Sequence, residues 1–147
     1  MRVFRLVSFV APMALLAACG AAPGSSSTPA PKGPPAEATP ENIAEGGRLF
    51  NSGICQTCHG SRGSGSNRGP ALNDKTWLHG DGTYTQIVAI IKDGFALADI
   101  SDQSYRQAMP PRGRDPRTGK EFTDKEVGQI AAYVWSISHE APKAPTP

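Results

Sequence analysis

The apolar positions of the chain change rhythm several times, and each change marks an element. Residues 1–18 open with Arg2 and Arg5, run apolar from Leu6 to Leu16 and close on Ala17-Ala18. That is the layout of an export signal, too short for a comfortable membrane span. From Gly20 to Thr39 the chain is Ala, Pro, Ser, Gly and Thr, with Lys32 and Glu37 its only charges. Such a composition buries no core and predicts a flexible tether, reaching ~25 Å as a coil and ~60 Å if its prolines keep it extended.

Helical spacing begins at Thr39, a capping residue followed by Pro40 at the first helical position and Glu41 at the positive end of the dipole. A helix is predicted from there to about Ser52, with Ile43, Gly46, Gly47, Leu49 and Phe50 in its repeat. Two helical glycines cost about 1 kcal/mol each, which predicts close approach of a second helix. Gly60–Gly69 contains four glycines among Ser, Arg and Asn, and reads as a flexible loop. Trp77, Leu78 and Leu72 add bulk, and the turn Asp81-Gly82-Thr83 leads into a buried helix, Tyr84–Lys92, closed by Gly94. Phe95–Gln107 is mostly polar and predicts irregular or short helical structure. A capping box, Thr123-Asp124-Lys125-Glu126, opens a last helix whose stripe is Val127, Ile130, Ala131, Val134 and Ile137, with Tyr133 beside it. The three prolines of Ala141–Pro147 predict a frayed tail. The expected organisation is therefore a signal at 1–18, a tether at 19–38, one all-α domain at 39–140 and a tail at 141–147.

Composition changes this picture in one respect. Of 15 basic residues, Arg2 and Arg5 fall in the signal, and the remaining basic residues equal the 13 acidic ones. A balanced domain lacks the basic excess of a nucleic-acid binder, so nucleic acid is excluded as a partner.

Three cysteines remain to be placed. Cys55-Gln56-Thr57-Cys58-His59 has the spacing of a c-type haem attachment: two thiols two residues apart can each form a thioether to one vinyl, and the next histidine reaches the iron. A structural zinc site would need four ligands, and only His79 and His139 remain to complete it. A thioredoxin-like pair would need a βαβ context, which the helical and Gly-rich flanks do not supply. Cys19 ends Leu16-Ala17-Ala18-Cys19, which resembles a bacterial lipobox, implying that Cys19 bears a lipid; an ordinary signal cleaved near Ala18 or Ala22 is the alternative.

A haem histidine needs an acceptor for its second ring nitrogen, and Pro70, in Gly69-Pro70-Ala71-Leu72, offers a carbonyl held by a fixed φ. Once the signal is removed Met109 is the one methionine left, and it sits in a Pro- and Arg-rich loop rather than on an apolar stripe. It is the candidate sixth ligand, with His79 and His139 as weaker ones. His79, beside a Gly-Asp-Gly turn, reads as an exposed surface residue.

Taken in order, Gly46 and Phe50, Cys55–His59, Gly69-Pro70-Ala71-Leu72, Met109-Pro110, and Ile130 with Tyr133 resemble the class I c-type cytochromes over about residues 40–140. The resemblance implies a small helical fold wrapped around one covalent haem c, in which first and last helices cross and Gly46 meets Tyr133. Residues Trp77–Gly94 look similar to cytochrome domains serving terminal oxidases and periplasmic dehydrogenases. The expected function is single-haem electron transfer between membrane-associated or periplasmic redox partners. The chain is expected to be an electron carrier rather than an enzyme, exported and lipid-anchored at a bacterial membrane facing the periplasm. The alternative is a haem enzyme subunit or gas sensor with an open sixth position. Arg106, Arg112, Arg114, Arg117 and Lys120 against Asp115 make a basic run beside Met109, and an acidic docking face on a partner would complement it.

Overall fold

A computed structural model describes residues 34–139. The expected signal, Cys19, most of the tether and the 141–147 tail lie outside them. Among the described residues the fold is all-α, with four helices, α1 (Pro40–Ser52), α2 (Ile54–His59), α3 (Tyr84–Asp93) and α4 (Asp124–His139), and three short 3-10 turns.

Local chemistry sets the helix ends. The Thr39 hydroxyl accepts from the Asn42 N–H at 3.2 Å and so caps α1. Gly53, in extended conformation at φ −133° and ψ −159°, breaks α1 from α2 and turns the haem-type motif off the first helix axis. At α4 the predicted box is formed: the Thr123 N–H donates to Glu126 at 2.8 Å, and the Glu126 N–H to the Thr123 hydroxyl at 3.3 Å. Each end therefore satisfies backbone donors that the helix itself leaves open.

α4 is the hub, packed on both α1 and α3. The core draws Leu49 and Phe50 from α1, Ile87 and Ile91 from α3, and Val127, Ile130, Ala131, Val134 and Trp135 from α4. Full burial of side chains such as Phe50 and Ile130 stabilises by about 1.5–3 kcal/mol each. The buried face of α4 is wider than the predicted stripe, since Ala132, Trp135 and Ser138 are also buried. Ile137 is instead half-buried, its Cδ1 lying where a side chain on Gly63 would go.

Three expectations need correction. The atoms nearest Gly46 belong to the α4 main chain, and it is Gly47 that faces the Tyr133 ring. A Cβ on Gly46 would collide with the backbone carbonyl of Gln129, whereas one on Gly47 would lie 3.1 Å from the Tyr133 ring. Neighbouring helical positions point about 100° apart, so the glycine pair serves two contacts, one with the α4 main chain and one with the ring. Second, the Gly60–Gly69 segment is not loose: Gly65 N–H donates to the His59 carbonyl at 2.7 Å, Leu72 N–H to Gly63 at 2.8 Å, and Arg62 N–H to the Asn51 side chain at 3.0 Å. Its glycines at 60, 63 and 65 have positive φ, so they serve a specific folded path. Third, order begins before Thr39, since Pro35–Ala38 forms a turn closed at 2.9 Å and Ala38 packs on the core.

Candidate functional site

α2 carries Cys55 and Cys58 three residues apart, a spacing that brings side chains to one helix face, and ends at His59. All three line one cleft of about 1220 Å³, open mouth included, whose walls also include Phe50, Pro70, Leu72, Trp77, Ile87, Ile91, Met109, Ile130 and Val134. α1, α3 and α4 thus turn part of their core face toward one cavity.

Two features set the chemistry of His59. Its Nδ1 lies 3.0 Å from the Pro70 carbonyl. A carbonyl only accepts, so Nδ1 carries the proton, and in the neutral ring Nε2 keeps the lone pair a metal would take. Burial pushes the imidazole below the usual histidine range, partly opposed by that bond to Pro70; the ring is thereby kept neutral, the form that ligates. Gly69 leaves room for this, because a Cβ there would sit 3.3 Å from the imidazole.

The two cysteines are not disulfide-linked. Burial pushes the Cys55 thiol up to about 11, and it raises Cys58 as well, with Arg68 pulling Cys58 the other way. Protonated thiols are poor nucleophiles and poor zinc ligands. No group of three or more His, Cys, Asp or Glu among the described residues could hold a metal ion. The donor set and the apolar walls do suit a haem: two thiols for covalent attachment, one neutral imidazole and one thioether.

Met109 reaches the cleft from a loop tied by main chain, Phe95 N–H donating to Met109 at 2.9 Å and Met109 N–H to Phe95 at 3.0 Å. This isolated antiparallel bridge was not foreseeable from the sequence, which carries no strand signal at either position. His79 is another correction. It is half-buried, lines the cleft and stacks on Phe95 at 4.1 Å between ring centroids. His139 instead stacks on Trp135 at the end of α4, at 4.8 Å. The basic run beside Met109 is also less free than its sequence suggests. Arg112 pairs with Asp124 at 2.7 Å, Arg114 with Glu121 at 3.9 Å and Arg117 with Asp115 at 4.0 Å. Asp124 also holds Lys92 of α3 at 3.3 Å, and Arg112 first, then Lys92, keep its carboxyl below the usual range.

A helical fold closed around one apolar cleft, with a Cys-x-x-Cys-His helix on its wall, defines a class I c-type cytochrome domain. Residues 41–134 match the family model described as cytochrome C oxidase, cbb3-type, subunit III, and the chain belongs to that family. Among its relatives is the Cbb3-type cytochrome c oxidase subunit FixPc of Rhizobium leguminosarum bv. viciae, 36% identical over 99 residues, covering 66% of this chain and 31% of the relative. The subunit CcoP of Azospirillum brasilense is 31% identical over 100 residues, covering 67% and 32%. The subunit FixP of Bradyrhizobium diazoefficiens is 40% identical over 95 residues, covering 65% and 30%. The chain thus spans about a third of the length of the curated relatives it matches. No helix among the described residues is long and apolar enough to cross a membrane.

Proposed function

We propose that this chain is a single-haem electron carrier that exchanges electrons with redox partners of a membrane-associated, periplasm-facing oxidase system. In this reading Cys55 and Cys58 take the haem through thioethers, His59 and Met109 ligate its iron, and Pro70 orients His59. The observation that carries the reading is the Pro70 carbonyl 3.0 Å from His59 Nδ1, because it presents Nε2 to the same apolar cleft that both cysteines and Met109 line. Haem held there supplies one reversible electron, at a potential that mixed His and Met ligation raises.

The protein's own share is positional. His59 is kept neutral by burial, the cleft walls are mostly apolar, and burial keeps both thiols protonated. The chain itself makes no bonds with a substrate. Residues 1–18 are read as an export signal, Cys19 as the lipid-bearing residue, 19–38 as the spacer to the domain at 39–140, and 141–147 as a tail. The kinship with cbb3-type oxidase subunits supports an oxidase as the partner, whether the domain acts as a free carrier or inside a complex.

The test is spectroscopic. Purified holoprotein should give one haem c per chain, a six-coordinate low-spin spectrum with the weak far-red sulfur-to-iron band when oxidised, and no response to carbon monoxide when reduced. A high-spin spectrum with ready carbon monoxide binding would instead establish the open-site sensor or enzyme subunit.

A further inference from the structure

We infer that Gly94 and the main chain of Phe95 are positioning residues that hold the Met109 thioether at the cleft, an inference that rests on the reading of Met109 as the distal ligand. α3 ends at Asp93, and its cap Gly94 has φ +65°, in the left-handed region that favours glycine. The Gly94 N–H still bonds to the Ile90 carbonyl at 2.9 Å, so this turn is continuous with the helix. The next residue makes both hydrogen bonds of the bridge to Met109.

The Met109-Pro110-Pro111 main chain passes directly over the Gly94 α carbon. A Cβ there would overlap the Met109 carbonyl oxygen and lie 2.8 Å from the Pro111 nitrogen and 3.0 Å from the Pro110 carbonyl carbon. Glycine at this position is therefore required twice, by its φ and by the loop above it. The hold is anchored in the core through Ile87 and Ile91 of the same helix. Phe95 has a second fixing point in its ring, stacked on His79. A methionine on a free loop would have to be ordered each time its sulfur met the iron. With its backbone pinned on both sides of the peptide, only side-chain torsions remain to be set.

Gly119 provides an internal control. Its φ is also positive, +69°, but a Cβ on it would meet nothing within 4 Å. Gly94→Ala and Gly119→Ala both place an alanine at positive φ, and only the first pushes on the Met109 loop. In the holoprotein, Gly94→Ala should lose the far-red band and gain carbon monoxide binding in the reduced state, while Gly119→Ala should keep the parent spectrum. A Gly94→Ala protein with an intact band, or equal band loss in both alanine variants, overturns the inference. If the unaltered protein lacks the band, the Met109 reading itself fails and the inference falls with it. Should Gly94→Ala not accumulate with haem, amide exchange in the unaltered holoprotein decides: the Phe95 and Met109 amides should become exchangeable at the denaturant concentration where the band disappears. Their exchange while the band is intact overturns the inference.

Discussion

At the scale of single residues, the site depends on which atoms are already engaged. Because the Pro70 carbonyl holds Nδ1 of His59, ring orientation and tautomer are settled before any metal is bound. Met109 has no such hydrogen-bonded partner for its side chain; its backbone is held by the two main-chain bonds to Phe95, and its side chain packs against the core. Replacing Met109 by Ala should therefore leave the haem attached and His59 in place, abolish the far-red band and lower the reduction potential. The ferric spectrum also reports on His79, which shares the cleft wall: a high-spin Met109→Ala protein means that water or nothing takes the vacated position, and a low-spin one that turns high-spin on adding His79→Ala means that the imidazole swings in. The contact of the Pro70 carbonyl with His59, and the shared cleft of Cys55, Cys58, His59 and Met109, could be anticipated because each rested on residue type at short range or on elimination. The setting of His79 could not, because its partner Phe95 is sixteen positions on and belongs to a segment without a clear period.

At the scale of elements, the crossing of α1 over α4 is the step that brings the haem motif against the core. The helices and their caps were legible from period and capping chemistry, yet the partner of each glycine was not, since a one-residue offset on a helix changes the facing contact and leaves the pattern unaltered. Gly46 touches main chain, which cannot yield, whereas Gly47 faces a ring that can turn. Gly46→Ala should cost about 1–3 kcal/mol net of the ~1 kcal/mol gained in helix propensity, while Gly47→Ala should lie near neutral. Thermal unfolding of the two holoproteins checks the ordering, and equal melting points would refute it. The start of α4 gives a pH prediction. Asp124, exposed but paired first with Arg112 and also with Lys92, has a lowered carboxyl value in the folded chain. Its contribution is therefore present above the unfolded value of about 3.9 and lost as pH falls through the lower folded value. Asp124→Asn should melt slightly below the parent at pH 7, with the gap closing under acid conditions. The effect stays small because water screens the pair, and a gap that persists at pH 2 would count against this origin.

At the scale of the whole molecule, function depends on how the domain is held and how it meets a partner. If Cys19 is the anchor, an exported Cys19→Ala protein should appear in the soluble fraction with its haem intact, and its retention in carbonate-washed membranes would show another attachment. Docking is the finer question. The basic run from Arg106 to Lys120 lies beside the Met109 loop, but three of its arginines face carboxylates, so the field it projects is weaker than the residue types imply. The pairs are not equivalent. The Arg112 side chain is 31% exposed and also reaches the Phe122 carbonyl, so it belongs to the fold, whereas those of Arg114 and Arg117 are 60% and 90% exposed and can turn toward an approaching surface. A charge reversal at Arg112 would therefore confuse docking with stability. The informative change is Arg106→Glu with Arg114→Glu, which should slow electron transfer to an acidic partner at low ionic strength, leave the melting point and potential near those of the parent, and have less effect as salt screens the attraction. An unchanged rate in that variant, together with a parent rate indifferent to salt, would mean that contact around the cleft mouth is governed by exposed apolar groups such as Leu78 and Leu97 rather than by charge.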